Sequence, residues 1–292
     1  RCMKKIEIVG VPFSDGASRE GTELAPNILK QYIAFNECIA DGGNVRTNIN
    51  STPERGLENI YSVIDLNKKL KDKIYLSLST GYLPIILGGD HSISLGTIAA
   101  SAKYYSDIAV VYLDAHTDIN TDETSPTGNI HGMTLAAAMG IGNHSLTSVV
   151  DIPVVSEHIL FIGARSVDDG EIDLIRDKQL HLIKCNVVMT DSIEDIRSRI
   201  KTFLFDRQIK NIHFSIDIDC LDPVFVPGTG VPEQNGLSPK EYFSIIDIVM
   251  GTGMVRTIDL VELNPLLDKD DKTLNMCIET LNLIFKYTQG GL

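Results

Sequence analysis

Ile108-Ala109-Val110-Val111-Tyr112-Leu113 runs straight into Asp114-Ala115-His116-Thr117-Asp118, and this stretch decides the fold. Its first half is apolar, β-branched and uncharged, as a strand buried on both faces should be. Its second half is acidic and begins where the strand must end. Comparable short runs at Ile6–Val11, Leu83–Leu87, Ile159–Ile162, His181–Lys184, Ile212–Ile216 and Val255–Val261 predict further strands. Helical periodicity lies between them, near Ala25–Phe35, Leu57–Leu78, Ser92–Tyr105, Gly132–Met139, Gly170–Lys178, Ser192–Phe205, Pro239–Met250 and Lys272–Phe285. The second of these patterns is long enough to hold a kink. Alternating strands and helices predict an α/β protein, a three-layer αβα arrangement around a mainly parallel central sheet. No repeat, low-complexity tract or linker divides residues 1–292, so they read as a single domain.

The chain carries 39 acidic residues against 26 Lys and Arg, a net charge of −13. That balance argues against nucleic acid or an anionic membrane as the main partner, because phosphate binding needs a basic face. A cationic substrate remains compatible with it. Hydrophobic residues make up 43% and charged residues 22%, values that suit a packed globular core rather than a disordered chain. No apolar run reaches the length of about 18 residues that a membrane-spanning helix needs. Arg1-Cys2-Met3-Lys4-Lys5 leads directly into a strand, unlike a secretory signal with its apolar segment and cleavage site. Five scattered cysteines without a C-x-x-C pair predict buried free thiols in a reducing compartment, and a cytoplasmic location.

In an open parallel sheet, ligands bind beyond the carboxyl ends of the strands. Here those ends are polar. Gly88-Gly89-Asp90-His91-Ser92 follows one strand and Asp114-Ala115-His116-Thr117-Asp118 another. Asp217-Ile218-Asp219 follows a third, and Glu262 a fourth. A spacing of two puts Asp114, His116 and Asp118 on one side of an extended chain, and likewise Asp217 and Asp219. With His91 they bring four carboxylates and two imidazoles together. So many unpaired carboxylates would drive one another to protonate; divalent cations resolve the conflict, and two suit this many ligands better than one. The oxygen-rich set leans toward Mn²⁺ rather than Zn²⁺. Asp222-Pro223 reads instead as a turn, and Cys220 should point away from the acids.

The motifs G-G-D-H-S, D-A-H-T-D-I-N, S-I-D-I-D-C-L-D-P and Glu262-Leu263-Asn264-Pro265 resemble the signatures of the ureohydrolases, the arginases and agmatinases, in order and spacing across nearly the whole chain. The resemblance implies the arginase-like fold and a two-manganese centre. By position, His91, Asp114, Asp118 and Asp217 would hold one ion. His116, Asp114, Asp217 and Asp219 would hold the other. A hydroxide between the metals would attack a guanidinium carbon, giving urea and an amine. Glu262 would pair with the guanidinium, and Asp118 would hydrogen-bond or transfer a proton.

The loop from Asn120 to Gly132 resembles the arginase form. It implies L-arginine as substrate and L-ornithine and urea as products. Asn120, Thr127 and Asn129 would hydrogen-bond the α-carboxylate, Asp168 would meet the α-amine with Glu171 beside it, and His131 would serve the leaving amine. Two departures stand out: Ser166 where arginases often have a second Asp, and Val231 where Thr is usual. Glu233-Gln234-Asn235-Gly236 is closer to the agmatinase form. The rival readings are therefore another ureohydrolase (agmatinase, guanidinobutyrase or formiminoglutamase) and a non-catalytic binding protein that keeps the fold. A two-metal phosphoesterase would need cationic groups that the motifs lack. Lys240-Glu241 matches a charged pair at subunit contacts of such enzymes, so a homotrimer or homohexamer is expected.

Overall fold

The computed structural model describes residues 4–52 and 56–289. Among the described residues there are eight strands: β1 (Lys5–Gly10), β2 (Ile39–Asn44), β3 (Tyr82–Leu87), β4 (Ile108–Leu113), β5 (Ile159–Ile162), β6 (His181–Ile183), β7 (Asn211–Asp217) and β8 (Val255–Val261). All belong to one sheet in the order β2-β1-β3-β8-β7-β4-β5-β6, and every pairing is parallel. Helices cover both faces: α1 (Ala25–Lys30), α2 (Ile60–Ser79), α3 (Ser94–Tyr104), α4 (Thr134–Ala138), α5 (His144–Thr147), α6 (Asp169–Lys178), α7 (Cys185–Thr190), α8 (Ile193–Asp206), α9 (Pro239–Met250) and α10 (Lys272–Gln289). The α/β three-layer arrangement is as expected. Two apolar clusters lie on the two faces. Ile8, Val111, Phe214 and Ile258 pack under α9 and α10, and Val9, Ile86, Val110 and Tyr112 pack with α2 and α3.

Several boundaries differ from the sequence reading. The pattern beginning at Leu57 is a 3-10 turn (Leu57–Asn59) followed by one uninterrupted α2, not a kinked helix. The first helix stops at Lys30 rather than Phe35. β2 was not expected: Ile39-Ala40-Asp41-Gly42-Gly43-Asn44 buries only Ile39 and lies at the sheet edge beside β1. Edge strands need no apolar alternation, so periodicity cannot find them. Cys185, Cys220 and Cys277 are free and buried, and Cys220 packs in the apolar core. Cys38, however, is disulfide-bonded rather than free, and Cys2 lies outside the described residues. Five free thiols was therefore the wrong expectation, since spacing along the chain does not reveal which sulfurs approach in space.

Candidate metal centre and substrate cleft

Strand order puts the four polar strand ends side by side, because β3, β8, β7 and β4 are neighbours. Their carboxyl-terminal ends are also in register: Leu87 with Leu260, Ile216 with Leu260, and Leu113 with Ile216. Each chain therefore leaves the sheet at one level, and the acids that follow meet over a single edge.

Two groups there could hold a metal ion: His91 with Asp114 and Asp118, and His116 with Asp114 and Asp219. Asp114 belongs to both. His91 Nδ1 lies 2.9 Å from Asp114 Oδ2, 3.1 Å from Asp217 Oδ2 and 3.2 Å from Asp118 Oδ2. His116 Nδ1 lies 3.2 Å from Asp219 Oδ2 and 3.4 Å from Asp114 Oδ1. Close as they are, His91 Nδ1 and Asp114 Oδ2 are buried without a hydrogen-bond partner among the described residues. Buried polar atoms seldom lack partners. Ligand atoms within 4.8 Å of one another, with carboxylates outnumbering imidazoles, fit divalent cations with a preference for oxygen ligands.

The electrostatics support that fit. Burial raises the Asp217 carboxyl well above its usual range, and the neighbouring Asp219 and Asp114 raise it further. Burial opposes charge on the His91 and His116 rings, yet the surrounding carboxylates outweigh it and hold both pKa values well above the ordinary histidine value. Protons are thus retained where cations would otherwise compensate the carboxylates.

Local structure fixes these groups. Asp114 Oδ1 accepts from the His116 N–H at 2.7 Å, and Asp217 Oδ1 from the Asp219 N–H at 2.8 Å. Each turn thereby leaves its acid's other oxygen facing the centre. Asp118 (φ 51°) and Glu262 (φ 69°) have left-handed backbone. For a side chain like that of Glu262 this conformation costs about 1–2 kcal/mol and marks a site worth inspection. The Glu262 N–H donates to Gly89 O at 2.9 Å, while its Oε1 accepts from the His91 N–H at 2.8 Å. Gly89 must be glycine: a Cβ there would meet Phe13 O at 1.7 Å. Asp90 is structural, accepting from the Ser92 and Gly16 N–H groups, both at 2.9 Å.

Above the acids lies a cleft of ≈ 200 Å³. Its wall includes His116, Asp118, Asn120, Thr127, Asn129, His131, Asp168, Asp217, Asp219 and Glu262, residues singled out from the sequence. His131 Nδ1 lies 3.1 Å from Glu262 Oε1. Burial opposes the charged ring, but the hydrogen bond to Glu262, with Asp118 and Asp90 nearby, lifts its pKa to about 9. At the mouth, Asn120 Nδ2 donates to Asp168 Oδ2 at 2.7 Å. Thr127 is exposed, and its Oγ1 accepts from the Asn129 N–H at 3.2 Å. Glu171 also borders the cleft, but its oxygens accept from the Ile119 N–H at 3.1 Å and the Asp168 N–H at 2.9 Å. It ties the Asp118 loop to the start of α6. Asp222 forms the expected turn, accepting from Val224 N–H and Gly236 N–H, both at 3.0 Å.

Sequence reasoning missed several residues that shape the site. Tyr112 donates its hydroxyl to Asp118 Oδ2 at 2.8 Å. Its position two residues before Asp114 was the available signal. Glu233 lines the cleft, accepts from Ser166 Oγ at 3.1 Å and approaches His116 Nε2 at 3.7 Å. Arg165 donates to the carbonyls of Asp219, Cys220, Leu221, Glu233 and Gln234, clamping two cleft loops together. No sequence pattern marks such a clamp, because its partners are backbone atoms.

Known proteins resemble this chain in sequence and fold. An arginase from Bacillus caldovelox is 33% identical over 295 residues, covering 97% of this chain and 98% of its own. Its native structure superposes with a TM-score of 0.90, over 97% of this chain and 98% of that one. The arginase of Bacillus subtilis strain 168 is 34% identical over 290 residues, covering 94% of this chain and 96% of its own. The structure of Entamoeba histolytica arginase in complex with L-ornithine matches at 31% identity and a TM-score of 0.86, covering 97% of this chain and 98% of that one. The sequence pattern of the Arginase family itself matches residues 4–285. With the fold, the acidic strand ends and these relatives in agreement, the chain is a hydrolase that belongs to the arginase family.

Proposed function

We propose that the protein hydrolyses the guanidinium group of L-arginine to L-ornithine and urea, with two Mn²⁺ per subunit. The observation that carries arginine over a decarboxylated substrate is the Asn120–Asp168 hydrogen bond, 2.7 Å long, at the cleft mouth. It joins an amide and a carboxylate in the wall of the cleft that the metal-binding acids also line. One can read a substrate α-carboxylate and the other an α-amine. Thr127 and Asn129 lie on the same wall.

His91, Asp114, Asp118 and Asp217 would hold one ion, and His116, Asp114, Asp217 and Asp219 the other. Bound there, the ions would supply Lewis acidity and a water acidic enough to act as nucleophile near neutral pH. The chain itself supplies orientation and protons. Glu262 Oε1 is held by the His91 N–H and the His131 ring. Its Oε2 remains to accept guanidinium N–H groups, an acceptor geometry suited to a planar cation. His131 Nδ1 is committed to Glu262, so Nε2 is the ring nitrogen positioned to give a proton to the leaving amine. Asp118, steadied by Tyr112, accepts a hydrogen bond or a proton beside the reacting carbon.

Two observations favour a second reading, another ureohydrolase. Val231 replaces a hydroxyl in the cleft wall, and Glu233 adds a carboxylate there. A lost hydrogen bond is worth about 0.5–1.5 kcal/mol, which is enough to loosen substrate choice. The assembly is proposed as a homotrimer or homohexamer on the resemblance alone. Locally, Glu241 accepts from Ser238 N–H at 2.7 Å in a helix capping box, while Lys240 is exposed. A cytoplasmic site is part of the same proposal, and the Cys38 disulfide weighs against it. Among the described residues no helix is long and apolar enough to cross a membrane.

The test is urea release by manganese-loaded protein, with L-arginine and agmatine side by side. Urea from arginine alone is expected. Urea from agmatine alone would overturn the substrate assignment, and urea from neither would favour a binding protein.

A further inference from the structure

Beneath the metal-binding acids, the face of the sheet covered by α3 is unexpectedly polar. His213 and Ser215 on β7, with Thr257 and Asp259 on β8, are all fully buried. Ser215 is the register partner of Asp259, and His213 of Thr257. The facing helix α3 contributes Ser94, Thr97 and Ser101, equally buried. Apolar residues would normally fill such a position. A buried polar cluster gains little over well-packed hydrophobic side chains, so its presence calls for a purpose other than stability.

The hydrogen bonds indicate the purpose. Asp259 Oδ2 accepts from Ser94 Oγ at 2.9 Å, Thr97 Oγ1 at 2.8 Å and His213 Nε2 at 2.8 Å. A longer bond of 3.4 Å comes from Ser215 Oγ. Ser215 Oγ in turn lies 2.8 Å from His91 Nε2. Although burial opposes ionisation of Asp259, His213 and the hydroxyls outweigh it and hold the carboxyl below its usual value. An anion therefore anchors a chain of directed hydrogen bonds that ends on the back of a candidate ligand ring.

Direction matters because His91 can offer Nδ1 to a cation only if the ring proton sits on Nε2. That proton needs an acceptor. Ser215 Oγ is one, provided its own hydrogen points elsewhere, and Asp259 is an acceptor that cannot donate in return. We propose that the His213–Asp259 pair is a positioning unit for His91: acting through Ser215, it fixes the tautomer that presents the Nδ1 lone pair, and so sets cation affinity on the His91 side of the centre. This rests on the reading of His91 as a metal ligand. Partners behind ligating histidines typically contribute 10–100-fold to metal affinity. A neutral amide at position 259 could donate to Ser215, reverse its hydroxyl and favour the wrong tautomer.

The test is stepwise Mn²⁺ binding by equilibrium dialysis and electron paramagnetic resonance, on metal-free full-length protein. Asp259→Asn is expected to weaken one of two binding steps by about 10–100-fold and leave the other within about threefold. Ser215→Ala, which cuts the link but keeps His213 against Asp259, should weaken the same step. Adding Asp259→Asn to it should change little more, because coupled residues are not additive. Ser215→Ala also decides the matter if Asp259→Asn fails to fold. Unchanged binding in Ser215→Ala, or equal loss at both steps, would overturn the proposal. Failure of the unmodified protein to bind Mn²⁺ would overturn the metal reading itself, and this inference with it.

Discussion

The Tyr112 ring lies flat on His91, with centroids 4.5 Å apart and planes within 2° of parallel. Its hydroxyl donates to Asp118 at 2.8 Å, so one strand residue restrains two candidate ligands of the same cation pocket. Tyr112→Phe keeps the stacking and removes only the hydrogen bond. The expected loss is about 0.5–1.5 kcal/mol in urea denaturation of the metal-free protein. Weaker Mn²⁺ binding on the His91 side should accompany it. Unchanged stability and affinity would show that the hydroxyl is incidental.

Asp114 belongs to both candidate pockets, whereas Asp118 belongs to one. Asp114→Asn should therefore abolish tight binding of both ions, and Asp118→Asn of one. Metal content after gel filtration distinguishes the cases. Equal stoichiometry in the two variants would refute the shared role of Asp114. Saturating Mn²⁺ should also raise the stability of the unmodified protein, by about 2.7 kcal/mol for each occupied site at a hundredfold excess over its Kd.

His131 should titrate near pH 9 in the metal-free protein, against the usual 6.5, because Glu262 favours its charged form. The sign follows from the raised folded-state pKa. The pair's contribution to stability is fully present below about pH 6.5 and is lost as pH rises through about 9. Histidine ring NMR across that range measures it directly. Glu262→Gln should bring the pKa down and flatten the stability profile there; an unmoved His131 resonance would exclude the pairing in solution.

Asp168 is exposed at the mouth and bonded to Asn120. Asp168→Asn should raise KM for L-arginine about tenfold, the equivalent of about 1.4 kcal/mol, with kcat little changed. 5-Guanidinopentanoate, which is arginine without its α-amine, should be turned over as poorly by the variant as by the original. An equal effect on both substrates would mean that Asp168 only caps α6.

Much of this was legible in the sequence because it depends on local rules. Unbroken apolar runs identify strands buried on both faces, and a spacing of two puts Asp114, His116 and Asp118 on one side. β2 escaped because an edge strand with two glycines carries no such pattern. Glu171, which the resemblance puts beside the α-amine, borders the cleft and accepts a backbone N–H group on each oxygen. The capping role follows from its place at the third position of α6, a feature that the sequence does carry.

What the sequence by itself determined was which strands end in acids and histidines, because burial on both faces and the period of two are properties of each segment alone. It could not decide which segments become neighbours. Asp114 meets Asp217 across about a hundred residues of chain because β4 pairs with β7, and His91 joins them because β3 reaches β7 through β8. Tyr112, Ser215, Asp259 and Arg165 acquire their places only then. Each acts on a partner brought near by packing, and a hydrogen bond depends on distance in space rather than along the chain.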